Sequence, residues 1–123
     1  NQPTVNGWPC WQPPWGRLTA VNVNTGDIAW QIPFGTMEGV PAGIKTGAPN
    51  LAGGPTTTAS GLIFIGAAVD SMFRALDTKT GQELWSAKTE EVIHGNPITY
   101  MGKDGKQYIA VAAGSTFLTY KLP

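Results

Sequence analysis

The sequence has few of the residues that do chemistry. One cysteine, Cys10, and one histidine, His94, stand among 123 residues. A lone thiol closes no disulfide within the chain, and a partner for Cys10 would have to come from a longer exported polypeptide. Charge is equally scarce: Asp, Glu, Lys and Arg make up 13%, against about 25% in ordinary soluble domains. So little charge predicts a surface partly covered by something outside this sequence. Eight basic and eight acidic residues cancel to a net charge of zero. A binder of nucleic acid or of an anionic membrane surface would show a basic excess or stripe, and there is none. The longest apolar run, Leu62 to Val69, is interrupted by Gly66 and is far shorter than the roughly 20 residues of a helical membrane span. The first residue is Asn1, with neither Met nor a secretory leader before it, inside a Pro- and Trp-rich stretch. Processing or excision from a longer chain is the expectation.

Turn formers, in contrast, are abundant: 16 Gly and 10 Pro. With no long helical pattern, they predict an all-β chain of short strands and tight turns. Repeats decide the architecture. The segment Ala20-Val21-Asn22-Val23-Asn24-Thr25-Gly26-Asp27-Ile28-Ala29-Trp30 recurs 55 residues later as Ala75-Leu76-Asp77-Thr78-Lys79-Thr80-Gly81-Gln82-Glu83-Leu84-Trp85. Each part has a physical job. The residues before Asn22 or Asp77 read as a strand. The Asn/Asp side chain can accept backbone N–H groups ahead of it and start a turn, which Thr-Gly closes, Gly supplying positive φ without steric cost. A second strand then leaves carrying the Trp, whose ring can bury roughly 150–250 Å² against a neighbouring unit.

Two further strands precede the second copy, Pro55–Ala59 and the continuously apolar Leu62–Ala68, joined by a Ser60-Gly61 turn. Four antiparallel strands of this size, repeated, make a propeller blade. A third unit begins alike, with a strand at Asn96–Tyr100, an Asp104-Gly105 hairpin turn and the apolar Gln107–Ala113. The predicted organisation is an irregular Pro/Trp-rich segment (1–16), a half blade (17–34), a long Gly-rich loop (35–53), a complete blade (54–90) and an incomplete last blade (91–123). The fold expected is thus a fragment of a β-propeller, about two to three four-stranded blades. Closed propellers have no raw blade faces, whereas exposed strand edges pair with other chains. The expected partners are therefore the remaining blades of the same protein, or other copies of the chain joined as a homo-oligomer through exposed blade edges.

Three segments carry a family resemblance: Pro14–Asn22, Gly53–Ala67, and Asn96–Tyr100 followed by Gly105–Gly114. With them the chain from about Pro13 to Pro123 resembles the C-terminal end of the quinoprotein dehydrogenases, which use pyrroloquinoline quinone (PQQ) to oxidise glucose, quinate and other alcohols. The two Trp hairpins match that family's tryptophan-docking motifs. The resemblance implies an eight-bladed parent enzyme of the periplasm or secreted space, in some cases membrane-associated, with PQQ and Ca²⁺ on the ring axis and a small sugar or other alcohol as substrate. The adjacent-cysteine disulfide, the calcium carboxylates and the catalytic base of such enzymes match nothing in this sequence. No catalytic or metal-ligating residue is therefore assigned, and the isolated chain is expected to hold neither cofactor and to be inactive. Cofactor contact is implied for Asn50, Leu51, Ala52, Gly53 and Gly54, in a loop entering the first strand of a blade, and for Gly114. Ala52 stands where some alcohol-oxidising relatives place a stacking Trp. A second reading is a non-enzymatic propeller of similar repeats, acting as a binding or assembly scaffold.

Other residues invite chemical roles but have simpler ones. His94 could be a base or ligand, yet as a lone histidine at a strand entrance it reads as a hydrogen-bonding loop residue. Asp70 and Asp77 could be paired carboxylates, but Asn22 replaces Asp77 in the other copy and retains only its hydrogen-bonding ability. Gly53-Gly54 lacks the Lys and helix of a phosphate cradle. Trp8, Trp11 and Trp15 could stack on a sugar, or form an aromatic-proline plug over a blade.

Overall fold

In a computed structural model, residues 4–50 and 53–122 are described. They form four antiparallel sheets and no helix. The Pro/Trp-rich segment contains a short hairpin of β1 (Thr4–Val5) and β2 (Trp8–Pro9). The first Trp motif forms a two-stranded sheet of β3 (Arg17–Val21) and β4 (Ile28–Pro33). A four-stranded sheet follows, ordered β5 (Thr56–Thr57), β6 (Leu62–Ile65), β7 (Met72–Asp77) and β8 (Glu83–Lys88). The last sheet has β9 (Ile98–Met101), β10 (Gln107–Ala113) and β11 (Thr116–Lys121).

The two Trp hairpins share one construction. In both, the Trp lies opposite an Ala (Ala20↔Trp30 and Ala75↔Trp85), and the register shifts at the next residue. The Asn22 side chain accepts the Asn24 N–H at 3.0 Å, and the Asp77 carboxylate accepts those of Lys79 and Thr80 at 2.7 and 3.0 Å. Asp77 is thus the turn former that its exchange with Asn22 suggests. Those N–H donors hold its carboxyl below the ordinary value.

Packing between sheets makes two seams. Ile63, Ile65 and Leu76 face β3–β4, meeting Phe34, Leu18, Trp30 and Ile32. Phe64, Phe73 and Ala75 face the other way, against Ile109, Val111, Leu118 and Tyr120. This is why the stretch from Leu62 reads as continuously apolar: β6 and β7 are covered on both faces. Each fully buried side chain in a seam contributes about 1.5–3 kcal/mol. The antiparallel connections also sort the chain ends. Tight turns, joined by the Thr78 N–H to Gly61 O bond of 3.0 Å, lie at one end of the sheets. The longer loops meet at the other, where Val69 N–H reaches Pro49 O (3.3 Å) and Gly114 N–H reaches Val92 O (3.2 Å).

Candidate functional site

The loop end holds the described residues for which cofactor contact is implied. Asn50 forms an isolated antiparallel bridge with Ala68. Gly53 packs so closely on the next loop that a Cβ there would lie 2.9 Å from the His94 carbonyl oxygen. Gly54 donates its N–H to the Asn96 side-chain oxygen at 2.5 Å, and Thr56 Oγ1 donates to Pro97 O, also at 2.5 Å. One strand entrance is therefore tied to the next. Ile93, fully buried, bridges Ala113. Gly114, at φ +56°, sits against Glu91, whose carboxylate a Cβ would strike. The order along this rim is Asn50, Gly53-Gly54, His94–Asn96, then Glu91 and Gly114. Leu51 and Ala52 lie outside the described residues.

Three properties follow from this arrangement. First, glycines let the strand entrances approach closely, since a Cβ on Gly53 would meet the His94 carbonyl oxygen and one on Gly114 the Glu91 carboxylate. Second, with its oxygen occupied by Gly54, Asn96 has its amide NH₂ as the group free to donate to a ligand. Third, His94 is exposed and makes no side-chain hydrogen bond among the described residues. No group of three or more His, Cys, Asp or Glu able to hold a metal ion occurs among the described residues.

On the β7 face that meets β3–β4 lies a polar network to which the sequence reading assigned no role. Arg74 occupies a buried position on β7, its side chain 6% exposed. It pairs with Asp70 through both guanidinium NH₂ groups, donates from Nε to Glu83 at 3.1 Å, and lies 5.3 Å from the Phe34 ring centroid. Asp70 also accepts from the Thr36 N–H (2.8 Å) and hydroxyl (3.1 Å) and from the Met72 N–H (3.1 Å). Burial alone would raise the Asp70 carboxyl, but Arg74 and Thr36 outweigh it and hold the group below the usual carboxylate value. Asp70 thus couples to Arg74 and not to Asp77. One signal was available: Arg74 interrupts the apolar β7 pattern on the same face as Leu76, and a charge there needs a counter-ion.

Comparison with known proteins supports the resemblance. Residues 2–109 match the family model of the β-propeller domain of PQQ glucose/ethanol/alcohol dehydrogenases. The chain is 41% identical over 116 residues to a quinate/shikimate dehydrogenase (quinone) from Acinetobacter baylyi, covering 88% of this chain and 14% of that protein. Among solved structures it is similar to the quinohemoprotein alcohol dehydrogenase of Comamonas testosteroni, with a TM-score of 0.65 and 30% identity over 91% of this chain and 14% of that one. BamB of Moraxella catarrhalis shares the fold at a TM-score of 0.57 and 20% identity. The chain spans about one seventh of the length of the curated relatives it matches. Its paired Trp hairpins, the seams between its sheets and the family match agree: this chain belongs to the β-propeller domain family of the PQQ-dependent glucose, ethanol and alcohol dehydrogenases.

Proposed function

We propose that the chain is the C-terminal part of a periplasmic PQQ-dependent dehydrogenase that oxidises a sugar or other alcohol, and that its loop rim forms part of the cofactor floor. The observation that carries this reading is the rim itself: Gly53 and Gly54, tied to His94 and Asn96, and Gly114 beyond. The close packing that Gly53 and Gly54 allow joins neighbouring strand entrances into one continuous edge, against which a planar quinone would lie. Asn50, Gly53, Gly54 and Gly114 would border it, and Asn96 would orient one of its oxygens through the free amide. PQQ, when bound, supplies the two-electron acceptor for alcohol oxidation. These residues position it and exclude water from one side. Calcium does not fit the described residues, which offer no ligand cluster; its ligands and the base would come from the rest of the longer protein.

The outer face of the last sheet supports the same reading. Ile98, Tyr100 and Phe117 share that face and are 54%, 43% and 64% exposed. We propose that the remaining blades of the same protein cover it, and that without them the chain self-associates. A stable, folded monomer of the 13.0 kDa chain in sedimentation would contradict this.

The enzymatic reading is tested on the longest polypeptide that carries the chain. An adjacent Cys-Cys pair upstream, and dye reduction by a sugar or alcohol with PQQ and Ca²⁺, are expected. Gly114→Val should weaken PQQ retention, whereas the 123-residue chain alone should show no turnover. A full-length protein that neither retains PQQ nor reduces the dye would leave a non-enzymatic propeller.

A further inference from the structure

A second concave feature lies at the loop end, outside the Gly53–Gly114 rim. It is a cleft of about 1130 Å³ between the β1–β2 hairpin with Thr36–Gly39 on one side and the Asp70-Ser71 turn with Lys88–Glu90 on the other. Small-molecule sites typically enclose roughly 300–1000 Å³, so a mono- or disaccharide with its water would fit. The wall is fixed in place. Trp8 donates its indole N–H to Glu38 O at 3.0 Å and lies beside Trp15, ring centroids 6.0 Å apart, yet the residue remains 39% exposed. The floor is fixed as well. Thr89, buried, donates its N–H to Ser71 O (2.8 Å), its hydroxyl lies between Ser71 O (2.9 Å) and Glu91 O (2.7 Å), and Asp70 holds the Met72 N–H. Ser71 is kept in the left-handed region at φ +54°, and Asn6 across the cleft has φ +53°. These are the two non-Gly residues with positive φ among the described residues, and both line this cleft.

The lining chemistry narrows the ligand. Glu38, Glu90 and Lys88 line the cleft and join no ion pair among the described residues. Asp70 is already neutralised by Arg74. The walls therefore carry two unpaired negative charges and one positive. Carboxylates accept hydrogen bonds from hydroxyls, Lys88 and Ser71 donate to them, and an indole offers a flat face to C–H groups. We propose that this cleft binds neutral polyhydroxylated ligands, sugars or cyclic polyols, stacked on Trp8 and held by Ser71, Glu38 and Glu90. The net negative charge disfavours acidic sugars. The site is independent of the cofactor reading and would bind with no quinone present.

The test uses 5-fluorotryptophan incorporated into the longest polypeptide carrying the chain, without PQQ, and titrated with glucose, maltose and quinate. Trp8→Phe and Trp11→Phe assign the two ¹⁹F resonances. The Trp8 signal should shift saturably with glucose and maltose and several-fold more weakly with quinate. The Trp11 signal, from an indole outside the cleft, should not saturate. Glu90→Lys should reverse the order in favour of quinate, and Ser71→Gly should weaken glucose binding about tenfold, as loss of a buried hydrogen bond to ligand does. No saturable Trp8 shift, parallel shifts of Trp8 and Trp11, or an unchanged preference in Glu90→Lys would overturn the proposal. Retention of PQQ in the same protein is a separate readout, so the two readings can fail independently.

Discussion

Trp30 and Trp85 occupy equivalent places in the repeated hairpin and have different surroundings. Trp30 reaches across the first seam to the next hairpin turn, donating its indole N–H to Thr78 O at 2.9 Å and lying flat over Gly81. A Cβ on Gly81 would come within 2.8 Å of the ring. Trp85 has no such polar seat among the described residues. It packs edge-on to Tyr120 and Phe73, with centroids 5.1 and 6.1 Å apart, and stays 39% exposed. The motif thus dictates a hairpin and a direction for the Trp, while the neighbouring unit dictates whether the ring is seated by a turn or by aromatic edges.

Breaking the aromatic seam should have the largest effect. Phe73 is fully buried and touches Phe64, Trp85 and Tyr120. Phe73→Ala should cost about 3–5 kcal/mol, read from the urea midpoint at constant slope. Breaking the polar tie of the Trp30 seam should come close to this. Arg74→Met leaves the Asp70 carboxylate buried without its cation and should cost about 3–5 kcal/mol, whereas removing both charges together should cost clearly less. The same pair gives a pH dependence. Asp70 titrates lower in the folded chain than its usual 3.8. Its stabilisation is therefore complete above the unfolded value and is lost as pH falls through the lower folded one. Urea midpoints should fall below about pH 4, and less steeply in Asp70→Asn.

Smaller perturbations sharpen the comparison. Gly81 has φ +72° and Gly26 has φ +80°, but only Gly81 lies under an indole, while Gly26 faces open space. Gly81→Ala should cost about 1–3 kcal/mol and shift Trp30 emission, and Gly26→Ala should show only the lower, purely conformational end of that range. The least effect belongs to the turn carboxylate. Asp77→Asn should lower the neutral-pH midpoint slightly, because the Asp77 carboxylate accepts two N–H groups where Asn22 accepts one and is favoured in its charged form by them, whereas Asp77→Ala should lower it further.

The hairpin turns were legible because their hydrogen bonds close within a few residues, as from Asp77 to Lys79 and Thr80. The double-sided burial of β6 was legible in its unbroken apolar run. The Arg74 network was not, since Thr36 and Asp70 are 34 positions apart, and no local pattern announces that Phe34 lies beside Arg74. The Trp/Pro segment read as irregular, yet Trp8 anchors a hairpin on Glu38, thirty residues away. At the rim, the candidate glycines came from resemblance; that Gly54 is held by Asn96 is a contact between strand entrances 42 residues apart.

The sequence by itself determined an all-β repeat, its turns and the place of each Trp, because strand alternation and Asn/Asp-Thr-Gly turns act over short separations. Only the tertiary structure decided which faces meet, where Arg74 finds its counter-ion and how the loops form a rim and a cleft. Those outcomes rest on surfaces distant in sequence that become neighbours only when whole sheets stack.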